Sequence, residues 1–188
     1  MEERREEAAA RSRAYWLAVR VWGLYLGAIL AGLAIVQVTF LDSTGSVWVS
    51  VVEWLSLFFM GYRAMVAYQV ECRGEWLTYG RSFAIGIMVC LVAALVYASV
   101  YYLMITQVRP QYFHEVHTAL KDVAQEQVRG MAEEEAERTY SMIVSMISPA
   151  FLSLAGFIGV MVNGLFATLI SALWGKRNYQ LRGSKPSE

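Results

Sequence analysis

Four long apolar stretches constrain this chain more than any other feature. They run over roughly residues 16–41, 47–68, 82–105 and 150–174. A helix rising about 1.5 Å per residue needs roughly 20 residues to cross about 30 Å of hydrocarbon, and each stretch meets or exceeds that length. The spacing predicts an all-α integral membrane protein, a bundle of four transmembrane helices forming one membrane domain over 1–188. Composition agrees. The chain is 57% hydrophobic and 17% charged, against about 25% charged residues in an average soluble domain. Its formal net charge is zero, so no bulk electrostatic pull toward nucleic acid is expected.

The N-terminus does not read as a secretory signal. Residues 1–14 form a charged lead in which Glu2, Glu3, Glu6 and Glu7 alternate with Arg4, Arg5, Arg11 and Arg13. The apolar run behind it is far longer than a signal core of about 7–15 residues. Cys72 and Cys90 lie in different settings, one in a basic gap and one mid-span. No CxxC or Cys/His spacing suggests a disulfide framework or a zinc site.

The cations fall in alternate gaps. Arg4, Arg5, Arg11 and Arg13 precede the first span, with Arg20 just inside it. Arg63, Arg73 and Arg81 surround the second gap, and Lys176, Arg177, Arg182 and Lys185 follow the last span. The turn Asp42–Ser46 has no Lys or Arg, and Ser46 there is a plausible N-cap for the second span. The loop 106–147 dilutes four cations among Glu115, Asp122, Glu126, Glu133, Glu134, Glu135 and Glu137. By the positive-inside rule both termini, including the tail 175–188, are expected on the cytoplasmic side of the membrane, with that acidic loop outside.

The loop itself carries helical signals. Pro110 suits a first helical turn. Phe113, Val116, Leu120 and Val123 recur at three- and four-residue spacing as one apolar stripe, and Gly130 interrupts it. A second helical piece over 131–147 places Glu134 and Arg138 at i,i+4. Pro149 should restart the chain where the last span enters the membrane. The prediction is a short amphipathic helical segment, lying as a cap on the membrane surface.

In lipid, close backbone approach and buried polar contacts take over from the hydrophobic effect in holding helices together. Small residues repeat every four positions in three spans: Gly23, Gly27 and Ala31; Ser82, Gly86, Cys90, Ala94 and Ala98; Ala155, Gly159, Asn163, Ala167 and Ser171, with Gly156 and Gly164 alongside. Gly23, Gly27, Gly86, Gly159 and Gly164 are therefore expected at helix–helix contacts. The alternative is a face that dimerises or holds a helix from another membrane protein.

The run Gly74-Glu75-Trp76-Leu77-Thr78-Tyr79-Gly80-Arg81-Ser82-Phe83, followed by Gly86, Tyr101, Ile105 and Arg109-Pro110-Gln111-Tyr112-Phe113, resembles a known bacterial pattern. So do the amphipathic acidic loop and the closing Ser171-Ala172-Leu173-Trp174-Gly175-Lys176-Arg177. Together, over about residues 15–178, they resemble the membrane-protein family catalogued as domain of unknown function 4199, known chiefly from Bacteroidota. The resemblance implies four inner-membrane helices and brings no catalytic residues. Two departures stand out: a longer charged lead, and Gln111 where family members often have Asp.

Among individual residues, Glu53 is the sharpest candidate, because an acidic side chain facing lipid costs a few kcal/mol. It offers a proton or cation site, or a structural hydrogen bond to Ser50, Ser56 or a neighbouring helix. Asn163, mid-span in the last helix, is a second candidate polar site. Counted from the helix ends, the two lie at different depths. Arg20 and Arg63 should snorkel to the nearer surface. His114, Glu115 and His117 form H-E-x-H, which lacks the H-E-x-x-H spacing that places two imidazoles one turn apart. No metal or other cofactor is implied. The expected partners are membrane lipid and a further membrane protein or a second copy. The expected role is a non-enzymatic accessory bundle of the cell envelope, with a small transporter using Glu53 as the alternative. A lipid-acting enzyme comes third, because no nucleophile–base pair is evident.

Overall fold

The computed structural model describes residues 2–40, 47–72 and 78–183. The expected turn at Asp42–Ser46, with Ser46 as a cap, lies outside these residues, as do residues 73–77 of the second connection. Six α-helices account for almost all of the described chain: α1 (Glu2–Phe40), α2 (Val47–Glu71), α3 (Tyr79–Leu103), α4 (Pro110–Gln127), α5 (Glu133–Met146) and α6 (Pro149–Gly183). Among the described residues four apolar segments are long enough to cross a bilayer: Ala8–Phe40, Val47–Glu71, Tyr79–Val108 and Pro149–Trp174. The molecule is a multi-pass, all-α membrane bundle, and α4 and α5 form an amphipathic helical cap between its third and fourth spans.

α3 is the central post, packing on α1, α6 and α2, while α2 closes the bundle against α1 and α6. The reason lies in its small residues. Ser82, Gly86, Cys90 and Ala94 are all buried, so neighbouring helices approach its backbone closely. A Cβ on Gly23 of α1 would come within 2.8 Å of Val92 Cβ, and one on Gly27 within 2.9 Å of Val96 Cβ. On the other side, a Cβ on Gly164 of α6 would stand 2.7 Å from Cys90 Sγ, and one on Gly86 would overlap Thr168. These four glycines sit where the small-residue pattern places them. Leu26, Leu30, Leu57, Ile85 and Val89 fill the space between, each at most 1% exposed. Ser153 and Ser171, also buried, donate to the carbonyls of Pro149 and Thr168. Such back-bonding keeps a hydroxyl satisfied inside a membrane helix.

Gly159 corrects the expectation made for it. Nothing lies within 4 Å of the position its Cβ would occupy, and both Gly159 and Ala155 are exposed. The buried stripe of α6 runs instead through Ser153, Val160, Gly164, Ala167, Thr168 and Ser171. It is rotated away from the four-residue row of small residues in the first half of the helix.

The junction into the cap is a π turn, Met104–Val108, closed by the Arg109 N–H donating to the Met104 carbonyl at 2.8 Å. Pro110 explains it. A residue before proline is driven out of the α region, and Arg109 accordingly takes φ −136°, ψ 72°. The helix ends in one widened turn, and Pro110 opens α4. Gly130, at φ 99°, turns the chain between α4 and α5, a left-handed conformation that suits glycine. Ser148 caps α6 by accepting from the Phe151 N–H at 3.2 Å.

Candidate functional site

The described residues place polar groups inside the bundle at the seam of α2 and α6 and along α3 toward the cap. The register that sets Leu57 against Gly164 and Gly61 against Ser171 carries Asn163 to the turn of α2 holding Glu53. The Asn163 amide comes within interaction range of the Glu53 carboxylate. The two candidates, apparently at different depths when counted along the chain, therefore meet. The reason is stagger: α6 begins about two turns farther toward the cap than α2. Both side chains are half-buried, so the seam encloses them incompletely.

Tyr97 of α3 faces the same carboxylate closely enough to feel its charge and lies beneath Gly156, whose missing side chain makes room for the ring. A Cβ there would stand 3.0 Å from the ring edge. Tyr97 stacks on Tyr101, with ring centroids 5.9 Å apart and planes 7° from parallel. Tyr101 in turn packs with Tyr112, the second residue after the proline, and the Gln37 amide of α1 lies within interaction range of the same Tyr112 hydroxyl. A polar ladder thus runs from Glu53 and Asn163 through Tyr97 and Tyr101 to Tyr112 and Gln37. The residues by themselves single out only Glu53 and Asn163 as polar candidates; Tyr101 and Tyr112 enter the sequence reading only as part of the family pattern. The i,i+4 spacing of Tyr97 and Tyr101 is the one signal in the sequence that places two of the tyrosines on a shared face.

Arg109 closes the ladder at the cap. Its guanidinium donates to the Val38 carbonyl at 2.6 Å and to the Thr39 carbonyl at 3.1 Å. These belong to the last turn of α1, whose carbonyls have no partner within the helix. The same guanidinium pairs with Glu115 at 3.5 Å and lies 5.9 Å from the centroid of the Tyr112 ring. Tyr112 is 2% exposed. Burial raises its phenol above the ordinary value of 10.0, and the Gln37 hydrogen bond and the Arg109 charge oppose that rise.

The remaining candidates stand apart from this cluster. His114 and His117 flank Phe113 at ring distances of 5.9 and 5.7 Å. Among the described residues no three His, Cys, Asp or Glu side chains converge as metal ligands would. Arg63 lies over the Trp22 ring, 5.4 Å from its centroid, at the other end of the bundle. Glu134 and Arg138 pair at 2.7 Å on the exposed face of α5.

A family model described as "Protein of unknown function (DUF4199)" matches residues 21–177. No curated protein and no solved structure matches the chain.

Proposed function

The chain belongs to this family of proteins of unknown function, and from that premise we propose that it is a non-enzymatic, partner-binding bundle of the bacterial inner membrane. Its carrying observation is the seam of α2 and α6. Glu53 and Asn163 are only partly buried within the span, and one turn along α6 the position beside Gly159 is open. A polar pair at this depth is costly against lipid. A transmembrane helix of another protein laid over Ala155 and Gly159 would approach the α6 backbone and cover the pair, in the manner of small-residue contacts between membrane helices. The clustering of cations at the two termini and of acidic residues in the cap supports cytoplasmic termini and an outward-facing cap.

The test is site-specific photo-crosslinking from the exposed position 162, about one turn along α6 from Gly159, in cells of the native host. A crosslink to a different membrane protein, lost in Gly159→Leu and weakened in Glu53→Gln, is the expected result. Crosslinks to lipid alone overturn the reading. A crosslink to a second copy of this chain replaces the accessory role with a homo-oligomer.

The ladder from Glu53 to Tyr112 favours a second reading, a small transporter in which Glu53 exchanges a proton with the cap side. It predicts proton or cation flux in reconstituted vesicles that Glu53→Gln abolishes. Flux equal to that of empty vesicles rules it out.

A further inference from the structure

The chain places an acid inside its bundle and supplies no base to meet it. Glu53 lies about 9 Å along α2 from Val47. Asn163, beside it, lies about 21 Å along the last span from Pro149 and about 17 Å from Trp174 at the other end. The Asn163 position sets the pair deep in the hydrocarbon, where a short glutamate stem does not bring its charge to a headgroup. Between Val21 and Tyr62, between Ser82 and Val108, and between Pro149 and Gly175 there is no Lys, Arg or His. Arg63 lies over Trp22, about 15 Å farther along α2 than Glu53. Arg109, at the cap end, is committed to Val38, Thr39 and Glu115. Among the described residues neither ion pair includes Glu53.

The groups that do come within range of its carboxylate are neutral, the Asn163 amide and the Tyr97 phenol. Both can donate to a carboxylate and hold it in place, but neither cancels its charge. An intramembrane carboxylate pairs with a cation or faces water, and this one is open on the lipid side of the seam. Glu53 and Asn163 are only partly buried, and one turn toward the cap from Asn163 nothing lies within 4 Å of the Cβ position of Gly159. A helix backbone passing Gly159 stands within reach of Glu53 for a long side chain. Charge then separates the occupants. A second copy of this chain carries no cation in these parts of its own spans, and it would set one carboxylate against another, a costly juxtaposition. An acyl chain brings no charge at all. A foreign helix with a lysine or arginine inside its span brings the missing charge, and the same pairing removes the cost of that cation in lipid.

We infer that the helix covering the seam of α2 and α6 carries a lysine or arginine within its apolar span, and that this side chain pairs with Glu53. The cation donates charge-assisted hydrogen bonds to the carboxylate, while Gly159 lets the two backbones come close. This assignment rests on the partner-binding reading above and adds the chemistry that selects the partner.

The experiment reconstitutes the full chain in phosphatidylcholine vesicles with a fluorescent leucine–alanine helix of about 20 residues, and reads association by energy transfer. The helix carries a lysine, a glutamine or a leucine at its centre or one turn to either side. The lysine helix should associate about tenfold more tightly than the leucine helix, the fold-change of one charge-assisted contact. Glu53→Gln should bring the lysine helix down to the leucine helix, and Glu53→Lys should move the preference to a helix with a central glutamate. Gly159→Leu, which blocks the approach and leaves the carboxylate in place, should weaken the lysine helix even if Glu53→Lys does not fold. Leu95→Trp, at an exposed position of α3, should leave it unchanged. Equal binding of the lysine and leucine helices, or a glutamine helix that binds as tightly as the lysine helix, overturns the cation pairing and leaves the partner-binding reading to its own crosslink. Energy transfer between two copies of this chain that the lysine helix does not displace gives the seam to a second copy and overturns the assignment. Crosslinks from position 162 to lipid alone remove the partner, and the pairing with it.

Discussion

Arg109 donates to the Val38 carbonyl across 2.6 Å, so the junction between α3 and the cap is tied to the far end of α1. The contact joins residues 71 positions apart in the chain and exists because a π turn and a proline redirect Arg109 sideways. A cation at a helix C-terminus is favourable for the helix dipole as well as for the unpaired carbonyls. Arg109→Gln should cost about 1.5–3 kcal/mol, the range of a hydrogen bond to a charged group. Arg109→Lys should recover only part of that, because an ammonium lacks the fork that serves two carbonyls and Glu115 together. Thermal unfolding in detergent and hydrogen exchange of α4 measure the two effects.

The glycines separate into two classes under substitution by alanine. Gly86→Ala and Gly164→Ala insert a methyl group against Thr168 and Cys90, and each should destabilise the bundle by about 1–3 kcal/mol, as overpacking does. Gly32→Ala and Gly159→Ala meet nothing within 4 Å and should be neutral or slightly stabilising, since alanine is the better helix former. Melting temperatures of the four variants in one detergent provide the comparison.

Glu53 and Asn163 should show measurable but modest coupling. Interhelical hydrogen bonds in membranes contribute about 0.6 kcal/mol on average and about 1.7 at most. A double-mutant cycle of Glu53→Gln and Asn163→Ala should give a coupling within that range. A coupling of zero would mean that the pair does not hold α2 to α6.

Tyr112 predicts the direction of one pH effect. Its phenol titrates above the ordinary value of 10.0 in the folded chain because it is buried. The unfolded chain therefore loses this proton first. The contribution to stability is complete below pH 10 and declines as pH rises through the folded value. Tyr112→Phe should remove that part of the alkaline loss, as read by unfolding at a series of pH values from neutral to strongly alkaline.

Glu134 and Arg138 form the shortest ion pair among the described residues, 2.7 Å, yet their side chains are 82% and 78% exposed. Solvent screening should hold Glu134→Ala within about 0.5 kcal/mol of the parent. Thermal unfolding at low and high salt checks this, with the difference vanishing at high salt.

Much of the architecture is legible in the residues because local rules decide it. Span length follows from runs of apolar residues, and Pro110, Gly130 and Pro149 mark where helices start and stop. Gly23, Gly27, Gly86 and Gly164 announce close approach because only a missing Cβ permits it. Two features were hidden for physical reasons. The π turn results from competition between Pro110 and the end of α3, and no periodicity reports it. The exposure of Gly159 depends on how α6 rotates against α2 and α3, which a row of small residues does not specify.

The sequence by itself determined that four helices span a membrane, that an amphipathic segment joins the last two, and which small residues could bring helices together. These are properties of consecutive residues, set by hydrocarbon thickness and backbone sterics. Tertiary structure alone decided that Glu53 meets Asn163, that Tyr97, Tyr101 and Tyr112 align into a ladder, and that Arg109 caps α1. Each of those depends on the axial stagger and rotation of one helix against another. Those quantities come from the packing of whole faces, which no single span encodes.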